Sequence, residues 1–165
     1  MLNDSFHYAG GALCCDGVPL NAIANAAGTP LYVYSAARIR HNVEWLRRAF
    51  ASLGASIHYS LKANPSLAVV RLLRQAGLGM DAVSAGEIAR ALAAGVDPAR
   101  IVFAGVGKTA AEMAYALDAG IGWFNVESRD ELRLLDRLAG EHRARPQVAL
   151  RLNPGIRAHT HEHIA

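Results

Sequence analysis

Disulfide chemistry is the first thing this sequence lacks the means for. Of its 165 residues only Cys14 and Cys15 are cysteines, and they are adjacent. Neighbouring Cα atoms stand ~3.8 Å apart, closer than ordinary disulfide geometry allows, and no second pair exists to build a framework or a metal knuckle. Uncharged apolar runs are also short, none approaching the ~18–20 residues that cross a bilayer. The start, Met1-Leu2-Asn3-Asp4-Ser5, lacks the basic-then-apolar order of a secretory signal. A soluble, cytoplasmic protein with no membrane partner is the expectation. Lysine is scarce: of 17 basic residues only Lys62 and Lys108 are not arginine, and the formal net charge is a modest +3. Charges alternate in sign through Arg129-Asp130-Glu131-Leu132-Arg133, as on a solvated helix face, so no nucleic-acid partner is expected.

What is present is apolar content: 52% of the chain is hydrophobic, enough for a sizeable core. Past residue 30 a rhythm sets in. Six β-rich runs recur: Leu31–Tyr34, Ser56–Ser60, Met80–Val83, Ile101–Ala104, Trp123–Val126 and Gln147–Leu152. Between them apolar residues fall at helical spacing, as in Leu67-Val70-Leu73 and Ile88-Leu92. Ser84 with Glu87, and Ser128 with Glu131, read as helix-opening capping boxes; Gly77, Gly95, Gly120 and Gly140 read as helix ends.

Regular βα alternation predicts an α/β fold with a parallel sheet. A doubly wound sheet would carry a glycine fingerprint after its first strand, and Ser35-Ala36-Ala37-Arg38 has no glycine. The spacing therefore favours a TIM-type (β/α)₈ barrel, here incomplete at about six βα units of the roughly eight required. Residues 1–30 stand outside the rhythm. They read as a lead-in, with a strand near Phe6–Leu13 and a short helix opening at Pro19, before barrel residues 31–165.

Lys62 is the sharpest candidate for chemistry. It closes His58-Tyr59-Ser60-Leu61-Lys62, and Ala63-Asn64-Pro65 turns the chain out of the strand, so Lys62 stands at a strand's carboxyl end. That edge carries the active sites of parallel α/β folds. A partly desolvated amine there suits attack on an aldehyde carbon; a rim lysine reaching solvent along its methylenes is the plainer alternative. Asp81 and Glu87 lie one unit along and could orient the amine, although the box with Ser84 also accounts for Glu87. Arg151, a cation within the last strand, could meet a ligand anion or Asp81, or form a structural ion pair. Gly105-Val106-Gly107-Lys108-Thr109 resembles the tail of a phosphate loop, but Val102 stands where the full pattern needs glycine. It reads as a strand-to-helix turn with Thr109 as cap, and Lys108 could attract an anion. His159, His161 and His163 alternate near the end; a loop role is favoured over metal binding, since no second ligand group accompanies them.

Together these segments resemble the fold-type III pyridoxal-phosphate amino-acid decarboxylases. Gly28-Thr29-Pro30-Leu31-Tyr32-Val33-Tyr34 is similar to the family's barrel entry, and His58 through Asn64 to the segment whose lysine holds the cofactor. Asp81 through Glu87 is similar to its Asp…Ser-x-Gly-Glu stretch. Val102–Thr109, Phe124–Ser128 and Arg151-Leu152-Asn153-Pro154-Gly155, with Thr160-His161 and Ile164-Ala165 beyond, resemble the diaminopimelate branch more than the ornithine or arginine branch.

The resemblance implies pyridoxal 5'-phosphate as cofactor, held by Lys62, Asp81, Glu87 and Arg151, with Lys62 catalytic. It also implies an amino-acid substrate, with decarboxylation of meso-2,6-diaminopimelate to L-lysine as the reaction. A homodimer is implied for the complete enzyme, with no metal. The family's ring-stacking histidine, glycine-rich phosphate loop, Glu-Pro-Gly-Arg motif and C-terminal β-domain have no counterpart here. The chain is thus expected to be an amino-terminal portion, inactive alone. A single-barrel pyridoxal-phosphate binding protein is the alternative, and the strand outside the barrel rhythm argues against it.

Overall fold

The computed structural model describes residues 5–153. They divide into two compact units, one running to Ile57 with Gln75–Gly77, the other holding His58–Arg74 and the chain from Leu78. In the first, Phe6–Ala9 (β1) and Ala12–Cys15 (β2) pair antiparallel across Gly10-Gly11. Both glycines take positive φ, 55° and 81°, where a side chain would be strained. Val18–Pro19 (β3) pairs back on β2, and Leu20–Ala27 (α1) leaves from Pro19. The strand expected near Phe6–Leu13 is thus a hairpin, and the proline-led helix is present. Ala36–Ala49 (α2) is capped by Ser35, whose hydroxyl accepts from the Arg38 N–H. That hydroxyl also donates to Asp16 at 2.6 Å, and the Ala37 N–H donates to the same carboxylate at 3.0 Å. Helix start and hairpin turn are tied together by one side chain.

The expected strand Leu31–Tyr34 enters no sheet. Tyr32 is 90% and Tyr34 59% exposed while Leu31 and Val33 are half-buried, so one face is partly covered but the run has no partner ladder to satisfy its β propensity. Among the described residues the parallel sheet has five strands, the run at Leu31–Tyr34 not being one of them.

In the second unit these strands are His58–Ser60 (β4), Gly79–Ala82 (β5), Ile101–Phe103 (β6), Trp123–Val126 (β7) and Gln147–Leu150 (β8). The helices Leu67–Gln75 (α3), Ala85–Ala93 (α4), Ala110–Asp118 (α5) and Arg129–Glu141 (α6) alternate with them. All neighbouring strands pair in parallel, in the order β4-β5-β6-β7-β8. The order never reverses. A doubly wound sheet requires a reversal, so the barrel arrangement is the one present.

Alternation sorts the two faces. Met80, Ala82, Ile101, Phe103, Phe124 and Val126 are at most 2% exposed and lie toward the helices. Burying a side chain of the larger kinds is worth ~1.5–3 kcal/mol each, so this face dominates the packing. The alternate positions, Ser60, Asp81, Val102, Trp123 and Gln147, share one row on the opposite face and are half-buried or exposed.

The expected caps form. Ser84 and Ser128 hydroxyls accept the N–H of Glu87 and Glu131, and Thr109 forms a full capping box with Glu112. Glu112 also accepts the Ala85 N–H at 3.1 Å, joining the starts of α5 and α4. The Thr109 N–H first, then those of Ala85 and the Thr109 hydroxyl, hold its carboxyl below the usual range. Gly77, Gly95 and Gly120 take positive φ after helices as expected. Gly140 does not end its helix: α6 continues to Glu141, and Arg143 supplies the left-handed residue at φ 52°.

Candidate active site

The carboxyl end of β4 is built around a short turn. Leu61 is fully buried and anchors the 3₁₀ turn Leu61–Ala63, which leaves Lys62 exposed at its middle. Pro65 drives Asn64 to extended φ/ψ of −163° and 102°, ending the turn. The Tyr59 hydroxyl donates to the Asn64 carbonyl at 3.4 Å, and the Asn64 side chain accepts the Ser66 N–H at 3.0 Å. Lys62 is thereby held at the strand's end, where the sequence placed it. Among the described residues its amine forms no hydrogen bond or ion pair.

Asp81 lies on β5 directly opposite Ser60 in the parallel register, on the face away from the helices. Its carboxylate has no partner among the described residues. The Ser60 hydroxyl is buried and also without a hydrogen bond. Three adjacent polar groups at the ends of β4 and β5 are therefore unspent: an amine, a carboxylate and a hydroxyl. This set fits a ligand with a carbonyl carbon for the amine and polar atoms for the other two, as pyridoxal phosphate has.

Glu87 is used differently. Its carboxylate accepts the Val83 N–H at 2.8 Å, fixing the loop that follows β5. Arg151 sits past the other edge of the sheet and pairs with Glu127 at 3.0 Å, not with Asp81; its own N–H extends the β8 ladder to the Val126 carbonyl at 2.8 Å. The five strands separate it from Lys62. Arg151 and Glu127 border a cleft of about 340 Å³ with Ala104, Asn125, Ala149 and Leu150, at the carboxyl ends of β6, β7 and β8.

Lys108 does not await an anion. Its side chain is inaccessible, and Nζ donates to the carbonyls of Gly105 and Asn125 and to Glu131, each at 2.6 Å. It also stands 5.4 Å from the Phe103 ring centroid. The second oxygen of Glu131 accepts the Glu127 N–H at 3.0 Å, so the clamp reaches the residue that holds Arg151. Sequence reasoning missed this group and the roles of Ser60 and Glu127. The spacing of Lys108 and Glu131 carries no local signal, since their contact joins residues 23 apart. Ser60 entered the sequence reading only as the last residue of the run Ser56–Ser60. The histidines at 159–163 lie outside the described residues.

The family model described as "Pyridoxal-dependent decarboxylase, pyridoxal binding domain" matches residues 36–165. A diaminopimelate decarboxylase of Zymomonas mobilis is 45% identical over 163 residues, covering 97% of this chain and 39% of that protein. A solved structure from Aquifex aeolicus superposes with a TM-score of 0.86 at 45% identity, covering 92% of this chain and 38% of that one. The diaminopimelate decarboxylase of M. jannaschii in complex with L-lysine gives 0.84 at 38% identity, over 95% of this chain and 38% of that one. The chain thus spans well under half the length of the relatives it matches. With the family model covering most of its length, and a lysine held at the end of the strand that opens its parallel sheet, the chain belongs to the pyridoxal-dependent decarboxylases.

Proposed function

We propose that this chain carries the cofactor-holding part of a diaminopimelate decarboxylase, which converts meso-2,6-diaminopimelate to L-lysine and carbon dioxide. The observation that carries this reading is Lys62, set unpartnered at the end of β4 beside Asp81. The 45% identity to a relative of that name and the L-lysine bound by a neighbour at 38% identity support the substrate assignment.

Bound pyridoxal phosphate supplies a sink for the electron pair left when the α-carboxylate departs. The Lys62 amine would hold the cofactor through its carbonyl carbon. Asp81 would orient the Lys62 amine through its carboxylate. Glu87 keeps the Val83 amide, and so the floor beside Asp81, in place. Arg151, steadied by Glu127, presents a cation to the cleft at the ends of β7 and β8, where an anionic group of the ligand can meet it. We read residues 1–30 as a lead-in associated with a further β-rich domain, residues 31–165 as the amino-terminal part of the barrel, and the complete enzyme as a cytoplasmic homodimer.

The test uses protein expressed from the full open reading frame that contains this chain. Borohydride reduction in the presence of pyridoxal phosphate, followed by peptide mapping, should fix the cofactor on Lys62. Lys62→Ala should incorporate none and release no carbon dioxide from meso-diaminopimelate. Incorporation on Lys108, or none in the unsubstituted protein, overturns the reading.

A further inference from the structure

The Ser60 hydroxyl is the one buried side-chain oxygen or nitrogen among the described residues that has no hydrogen-bond partner. Burying a hydroxyl unpaired is unfavourable, and native interiors seldom tolerate it without a functional reason. An alanine at this point of β4 would lose no hydrogen bond to the protein. The placement narrows the reason. Ser60 lies two residues before Lys62, directly across the ladder from Asp81, on the face turned away from the helices. A packing role would have put the side chain on the other face, with Met80 and Phe103. The hydroxyl can donate, whereas Asp81 beside it accepts and Lys62 is committed to a carbonyl carbon.

We propose that Ser60 is a further cofactor-binding residue, donating its hydroxyl proton in a hydrogen bond to an oxyanion of the pyridoxal group held at Lys62. This rests on the proposed function and adds a contact to it. Pyridoxal phosphate offers two such acceptors, the phenolate and the phosphate, and both carry the negative charge that makes a hydroxyl donor effective.

The experiment again uses the full open reading frame, and measures pyridoxal phosphate affinity by absorbance titration for the unsubstituted protein, Ser60→Ala and Ser60→Thr. Ser60→Ala should weaken binding about tenfold, the size of one hydrogen bond to a charged group. Ser60→Thr, which keeps the hydroxyl, should recover most of that loss. Thermal stability without cofactor should not fall in Ser60→Ala, because no protein hydrogen bond is removed; this separates ligand contact from folding. Repeating the titration with pyridoxal locates the acceptor: a loss with both ligands marks the phenolate, a loss with the phosphate ester alone marks the phosphate. Equal affinity of Ser60→Ala and the unsubstituted protein for both ligands overturns the proposal, even where borohydride still fixes the cofactor on Lys62. Failure of that trapping in the unsubstituted protein overturns the proposed function and this contact with it.

Discussion

Asp16 carries a carboxylate whose acidity comes from its neighbours. The Ser35 hydroxyl first, and the Ala37 N–H after it, bond to the charged form and hold its carboxyl below the usual aspartate range. Asp16 itself takes positive φ, 50°, to reach the start of α2. A carboxyl more acidic in the folded than in the unfolded chain stabilises the fold above the unfolded value of about 3.9. That contribution is lost as pH falls through the lower folded value. Acid titration of stability should therefore show a loss beginning below about pH 4, and Asp16→Asn should flatten that part of the profile. An unchanged profile in Asp16→Asn would remove Asp16 from the account. Lys62 shows the other side of this scale: its position was legible because proline and alternation are local signals, whereas the idleness of Ser60 depends on what surrounds it.

Between elements, Lys108 does what no single helix or strand does. One ammonium ties the turn after β6, the carbonyl of Asn125 in β7 and the first turn of α6 through Glu131. Removing it takes a hydrogen bond from each of two carbonyls and leaves a carboxylate that is only 12% exposed without its counter-charge. Loss of one partner from such a pair costs ~3–5 kcal/mol. Lys108→Met should lower stability by about that much in chemical denaturation. Glu131→Gln, which leaves the enclosed ammonium without a counter-charge and turns an amide NH2 toward either Lys108 or the Glu127 N–H, should cost a comparable amount. Small effects of both substitutions would show that the clamp is unimportant. The caps at Ser84, Thr109 and Ser128 were all readable beforehand, because capping is decided within four residues. The clamp was not, because Lys108 and Glu131 meet only after β7 and its flanking turns have been laid down.

At the scale of the molecule, the described sheet has β4 and β8 as its edges, and the face carrying Ser60, Asp81 and Trp123 is incompletely covered; Trp123 is 42% exposed. An incompletely covered face gives a cofactor few walls. Residues 1–165 expressed alone should bind pyridoxal phosphate weakly and release no carbon dioxide from meso-diaminopimelate. Stoichiometric cofactor binding with turnover by that polypeptide would falsify this.

The sequence by itself determined the parallel βα order, the positions of all five sheet strands to within two residues, the helix starts and the place of Lys62. Each follows from short-range chemistry: alternation, side-chain caps, and proline's restriction on its neighbours. Only the tertiary structure decided that Leu31–Tyr34 stays outside the sheet, that Arg151 answers Glu127 rather than Asp81, and that Lys108 is enclosed while Ser60 is left unpaired. Those outcomes depend on which groups share a neighbourhood after folding. Hydrogen bonds and charges act over a few ångströms of space, whatever the distance along the chain.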